Sequence, residues 1–144
     1  EYFDTSHPSP YMLLIADVVQ KRRNPLPDRY HSIPVREKLY YLRSDIPAIT
    51  HLDYSARVQT VHKETNEKYW KLIQAFKERT GYGVIVNTSF NVRGEPIVCT
   101  PEDAYKCFMR TELDYLVIGN FIFDKREQPK WYEEIDWREE YGLD

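Results

Sequence analysis

The chain has 144 residues, a net charge of −3, 42% hydrophobic residues and 15% aromatic residues. That is enough for one ordinary domain with a core, and the slightly acidic balance offers no broad attraction for nucleic acid or an anionic membrane. No apolar run reaches the roughly 18 residues needed to span a bilayer, and no basic-then-apolar leader opens the chain.

The 12 tyrosines point to pockets or an interface, because tyrosine sits half-buried with a wet hydroxyl. Cys99 and Cys107 lie eight apart with no accompanying His pair, which fits no zinc pattern. A reduced, cytosolic protein with core thiols is the expectation, and no metal site is assigned.

"YMLLIADVV", Tyr11–Val19, is an apolar run after Pro10 and reads as a buried strand. Gln20 to Pro47 is polar and broken by four prolines, a long excursion with a short helix near Val35 to Leu42. Ala56 to Val61 reads as a strand entered through a turn at Asp53 to Ser55. Asn66 to Thr80 is the clearest helix: Tyr69, Leu72, Ile73 and Phe76 form one stripe, and Gly81 stops it. Val84 to Thr88 and Ile97 to Cys99 read as short strands. Thr100-Pro101-Glu102-Asp103 starts a helix, with an N-cap, a first-turn proline and acids at the positive end. Ala104, Cys107, Phe108 and Thr111 then face inward. "YLVIG" and "FIF" are strands meeting at Gly119-Asn120, as a tight hairpin or a bulge. The tail after Lys125 is acidic and aromatic, and either docks by its Trp and Tyr residues or frays. Helices interspersed with strands imply an α/β or mixed α+β sheet with helices on its faces.

The dense polar stretch is "NTSFNVRGEP", Asn87 to Pro96. Side chains leaving a strand of an open α/β sheet enter the crevice where ligands bind. Asn87 and Asn91 offer donor and acceptor, Ser89 a hydroxyl, and Arg93 a planar fork for phosphate or carboxylate. Gly94 allows positive φ or close backbone approach. The set suits an anion with a polar head, such as a phosphoryl or carbamoyl group. A polar turn is the plainer alternative. Arg57, between Ala56 and Val58, either points into a pocket or is a surface arginine at a strand end. His51 in "THLD" could be a base, a ligand or a turn residue and is not put forward as catalytic. No GxGxxG, P-loop, HExxH or GxSxG motif is present.

The block "NTSFNVRGEPIVCTPEDAYKCFMRTELDYLVIGNFIF" resembles the C-terminal domain of the O-carbamoyltransferases, the family of nodulation carbamoyltransferases and of enzymes that carbamoylate cephem and aminoglycoside antibiotics. "SPYMLLIADV", "IPAITHLDYSARVQTV" and "NEKYWKLIQAFKERTGYGVIVNTS" resemble the same family in the same order, so the likeness runs from about Tyr2 to Lys125.

The resemblance implies a YrdC-like twisted mixed sheet with flanking helices over residues 1–125, followed by a 126–144 tail. It implies that carbamoyl phosphate and ATP are substrates, giving carbamoyl adenylate with release of pyrophosphate and phosphate. The carbamoyl group would then pass to the hydroxyl of a small-molecule acceptor in an N-terminal, kinase-like part of the same polypeptide. Iron is expected only there. Arg57, Asn87 and Ser89 match positions of the family's carbamoyl phosphate and nucleotide pocket, with Asn91 and Arg93 in the same motif. Arg57 and Ser89 are the expected catalytic residues, Arg57 holding phosphate while Asn87 and Ser89 orient the carbamoyl group or a nucleotide phosphate. The family's "GPRALG" and "REWFRPFAP"-like blocks do not occur in this chain, so the domain reads as N-terminally truncated and inactive by itself. The exposed aromatics are compatible with a homodimer. The alternatives are a YrdC-like nucleic-acid-binding module, against which the acidic balance weighs, and a non-catalytic docking domain.

Overall fold

The computed structural model describes residues 1–133. The chain packs as two compact units, Glu1–Val86 and a second beginning at Asn87. The mixed α+β class expected from the sequence is what forms, with its strands in two small antiparallel sheets.

In the first unit β1 (Phe3–Asp4), β2 (Leu14–Val18) and β3 (Ser55–Val58) form a sheet in that order. Phe3 pairs with Val18, Ala16 with Ala56 and Ile15 with Arg57. Strand alternation puts Ala16, Val18, Ala56 and Val58 on one buried face. Phe3 and Ile49 pack against both the Tyr2–Val18–Ile46 group and the Ala16–Ala56–Val58 group, which joins them into one core. The strand expected over Tyr11–Val19 is shorter at its start. Met12 takes a left-handed φ of 56°, so the alternation begins only at Leu14.

The 20–47 excursion is ordered without long elements. Three-residue and five-residue 3₁₀ turns cover Gln20–Arg22 and Asp28–Ser32, and α1 is the single turn Val35–Lys38. Tyr30 is buried edge-on against Tyr41 at 5.6 Å and donates its hydroxyl to Leu52 O. Arg43 is also buried, at 6% exposure. Its guanidinium donates to Thr50 O at 3.1 and 3.3 Å and to Lys38 O at 2.6 Å, tying the end of α1 to Thr50.

Helix α2 (Glu67–Thr80) begins where Asn66 Oδ1 accepts Tyr69 N and ends at Gly81, whose φ of 81° is the left-handed stop anticipated from the sequence. Its covered face differs from the expected stripe. Tyr69, Trp70, Ile73 and Lys77 are half-buried, while Leu72 (58%) and Phe76 (39%) are exposed. Capping and the Lys71–Glu67 pair favour this helix independently of how its stripe is buried.

The strands expected at Val84–Thr88 and Ile97–Cys99 do not form. A β-branched run supplies propensity, but a ladder needs a partner strand, and neither sheet includes these segments. Val84 and Tyr82 instead pack on the first core, and Gly83 N donates to Tyr2 Oη at 2.7 Å.

In the second unit α3 (Pro101–Arg110) packs on β4 (Tyr115–Ile118), which pairs with β5 (Phe121–Asp124). The hairpin alternative is the one realised: a two-residue Gly119-Asn120 loop with Gly119 at φ 59° fits a II′ turn. A full capping box opens α3: Asp103 N donates to Thr100 Oγ1, while Thr100 N and Cys99 N donate to Asp103 Oδ2. Ala104, Cys107 and Phe108 are buried as expected, whereas Cys99 is exposed, so the core holds one thiol. Lys125 closes the other end of α3. Its ammonium donates to Phe108 O and, at 2.9 Å, to Thr111 O, and lies 4.1 Å from the Phe108 ring centroid. Of the tail, Trp131 docks edge-on against Tyr105; Trp137 and Tyr141 lie outside the described residues.

Two outcomes follow from this capping. Thr100→Ala should lower stability by about 1 kcal/mol in urea denaturation, with Thr100→Ser restoring most of it. Asp124 caps the Lys125–Glu127 turn, and hydrogen bonds from the Arg126 side chain and then its amide hold the Asp124 carboxyl down to about 2. Its folded value lies below its ordinary 3.8. The turn's support is therefore complete above that ordinary value and lost as pH falls through about 2. Carboxyl NMR should show this low midpoint, moved back toward the ordinary value in Arg126→Gln.

Candidate functional site

The candidate residues fall in both units. Arg57 belongs to the first; Asn87, Ser89, Asn91 and Arg93 share the second.

Arg57 is central in β3 on the face opposite the buried alanines, and it is exposed. Its Nε and Nη2 donate to Met12 O at 3.3 and 3.1 Å, bracing the backbone beside the left-handed Met12. Nearby, His51 Nδ1 lies 2.9 Å from Ser55 Oγ, which donates to Asp53 Oδ1 at 2.7 Å. This is not a hydrolase triad. Serine, not histidine, is the middle member, and Ser55 is 6% exposed. The hydroxyl and amide of Ser55 hold the Asp53 carboxyl below its ordinary range. The group shapes the turn into β3, in which Tyr54 has φ 69°.

The second unit's motif is a loop closed at its base by Val98 N donating to Phe90 O at 3.0 Å. Within it, Val92 to Glu95 forms a β-turn: Glu95 N donates to Val92 O at 3.1 Å, and Gly94 has φ 84°. Positive φ at the third turn position requires glycine or a residue that tolerates the left-handed region. Asn91 turns inward, its amide nitrogen donating to Val92 O at 3.0 Å and Glu95 O at 2.8 Å. Two carbonyl oxygens can only accept, which fixes the amide's orientation. Asn87, Ser89 and Arg93 are exposed. The motif thus divides between residues that face solvent and residues that build the loop.

The loop's anchor was not among the sequence-derived candidates. Glu95 Oε2 accepts Val92 N at 3.2 Å, and Oε1 accepts Arg110 Nη1 at 3.3 Å. Arg110 comes from the last turn of α3 and also holds Glu133 through Nε and Nη2, at 2.8 to 3.0 Å. The side chains of Arg110 and Glu95 are 3% and 11% exposed. Burial and the neighbouring Glu95 carboxylate push the Cys107 thiol up, so it is a packing group and not a ready nucleophile. The available signal was the spacing of Arg110, three residues beyond the inward-facing Cys107 on the same helix. A grouping of three or more His, Cys, Asp or Glu side chains able to hold a metal is absent among the described residues.

A family model described as the carbamoyltransferase C-terminus matches residues 1–125. The chain belongs to the carbamoyltransferase C-terminus family. Across its whole length it is 56% identical to an uncharacterized protein of Synechocystis sp., covering 23% of that protein. It is 44% identical over 105 residues to the nodulation protein NolO of Bradyrhizobium diazoefficiens, covering 70% of this chain and 19% of that one. It is 32% identical over 101 residues to the 3'-hydroxymethylcephem-O-carbamoyltransferase of Streptomyces clavuligerus, covering 67% of this chain and 18% of that one. The chain therefore spans a quarter or less of the length of these relatives. Among the described residues of this carbamoyltransferase-family domain, no helix is long and apolar enough to cross a membrane.

The loop-building and the exposed positions differ in a measurable way. Asn91→Ala should lower stability by about 1–3 kcal/mol in urea denaturation, because it removes the side-chain donor to Glu95 O and one of the two donors to Val92 O. Ser89→Ala, at an exposed position, should change stability by less than about 0.5 kcal/mol.

Proposed function

We propose that this carbamoyltransferase domain binds carbamoyl phosphate and ATP and forms carbamoyl adenylate, from which the carbamoyl group passes to a substrate hydroxyl elsewhere in the polypeptide. The observation that carries this reading is the second-unit loop. It exposes an amide, a hydroxyl and a guanidinium at Asn87, Ser89 and Arg93 on a backbone pinned from within.

The chemistry matches those groups. Water displaces phosphate from carbamoyl phosphate to leave carbamate. A carbamate oxygen then attacks the α-phosphorus of ATP, forming carbamoyl adenylate and expelling pyrophosphate. Both steps build negative charge on phosphoryl oxygens, which planar guanidinium donors stabilise. Arg57 and Ser89 are each assigned a role on the reacting phosphates, and Asn87 and Arg93 a role in substrate binding. Asn91 contributes by shaping the loop. Carbamate is short-lived in water, so its capture requires a site that excludes bulk solvent. The relatives named for carbamoyl transfer to a cephem, and those named for nodulation, are consistent with differing acceptors. Acceptor choice is assigned to the N-terminal, kinase-like part of such polypeptides.

In the full polypeptide carrying these residues, Arg57→Ala or Ser89→Ala should abolish pyrophosphate release dependent on both ATP and carbamoyl phosphate. Unchanged release in both variants would overturn the assignment.

A further inference from the structure

We propose that Arg110 and Glu95 form a positioning pair that sets the Val92–Glu95 turn and thereby aims Arg93 at the phosphate of the bound ligand. This rests on the anion-binding reading of the loop given above. Arg110 is remote in sequence from the motif and sits in the last turn of α3, yet its charge reaches the turn through one side chain.

Glu95 divides its two oxygens. One meets the guanidinium of Arg110 and the other meets Val92 N. Arg93 and Gly94 therefore lie on a turn whose flanking residues are tied together by backbone, through Glu95 N to Val92 O, and by the Glu95 side chain. The Asn91 amide adds two further bonds from within. The guanidinium is itself immobilised, because Glu133 accepts from it through both carboxylate oxygens.

The burial of this pair bears on its role. The Lys71–Glu67 and Lys77–Glu1 pairs join half-exposed side chains, whereas those of Arg110 and Glu95 are almost wholly enclosed. A buried pair gives little net stability over an apolar replacement, but it fixes geometry. Here the geometry fixed is that of the segment carrying Arg93. A loop that presents a guanidinium to a phosphate needs that constraint, since a displacement of about 1 Å at a reacting group can cost a hundredfold in rate.

The test uses the full polypeptide, with carbamoyl phosphate as the probe in titration calorimetry. Arg110→Lys keeps the charge and loses the fork; Glu95→Gln keeps an acceptor for Val92 N and loses the ion pair. Each should weaken binding by about tenfold in the native background and not at all when added to Arg93→Ala, because a residue acting through Arg93 has nothing left to act on. Losses that add fully to that of Arg93→Ala would overturn the positioning role. Amide exchange supplies a ligand-independent readout. In Glu95→Gln the Val92 amide should exchange at least about tenfold faster while the Leu116 amide in β4 is unchanged. Unaltered exchange at Val92 would also overturn the role. A native protein that fails to bind carbamoyl phosphate would instead overturn the function on which the role rests.

Discussion

Arg43, Lys125 and Asn91 each place their donors on main-chain carbonyls that no sheet or helix answers. This follows from a constraint on the whole chain. Only a minority of its described residues lie in regular elements, and irregular backbone still carries one acceptor per residue that must be met when it is covered. Long cationic and amide side chains meet it. Arg23 donates to Val18 O, Asn24 to Leu42 O and Arg57 to Met12 O, each across a span that lacks a continuous ladder. These side chains do for the loops what hydrogen-bond ladders do for strands. The same donors are the residue types that would bind an anion, so type and motif alone do not separate builders from binders.

That overlap explains which parts of the fold were legible in the sequence. Thr100 to Asp103 and Gly81 announced helix ends because capping is local, decided within four residues. Gly119-Asn120 likewise marked the hairpin. Val84–Ile85–Val86 misled because β-branched residues report propensity, whereas pairing depends on a segment distant in the chain. In α2 the stripe Tyr69–Leu72–Ile73–Phe76 gave the helix correctly but not its covered face, which is turned toward Tyr69, Trp70 and Lys77. Helical period fixes which residues share a side; the neighbours decide which side is covered.

The candidate site was legible in the same uneven way. The polar density of Asn87 to Pro96 marked an unusual loop, which the structure closes through Val98 N and Phe90 O. Within the motif, however, Asn91 reads like Asn87 because their amides are chemically identical. The distinction lies in where their hydrogens go. Asn91 spends both on carbonyls of its own turn, whereas Ser89 faces outward. Glu95, an acid beside a glycine, reads as surface, and Arg110, an arginine at a helix end, reads as a simple complement to the dipole. Their encounter is long-range in sequence and so has no local signature.

The buried Arg110 accounts for the density of charge that made the motif conspicuous. An enclosed guanidinium requires compensating carboxylates, and Glu95 and Glu133 supply them from either side. Once Glu95 is committed to Arg110, its second oxygen lies next to backbone and takes Val92 N. The turn that results needs positive φ, which Gly94 provides, and leaves carbonyls that Asn91 answers. Asn91 and Glu95 thus each have an internal task. Arg93 is carried on the same turn and is exposed.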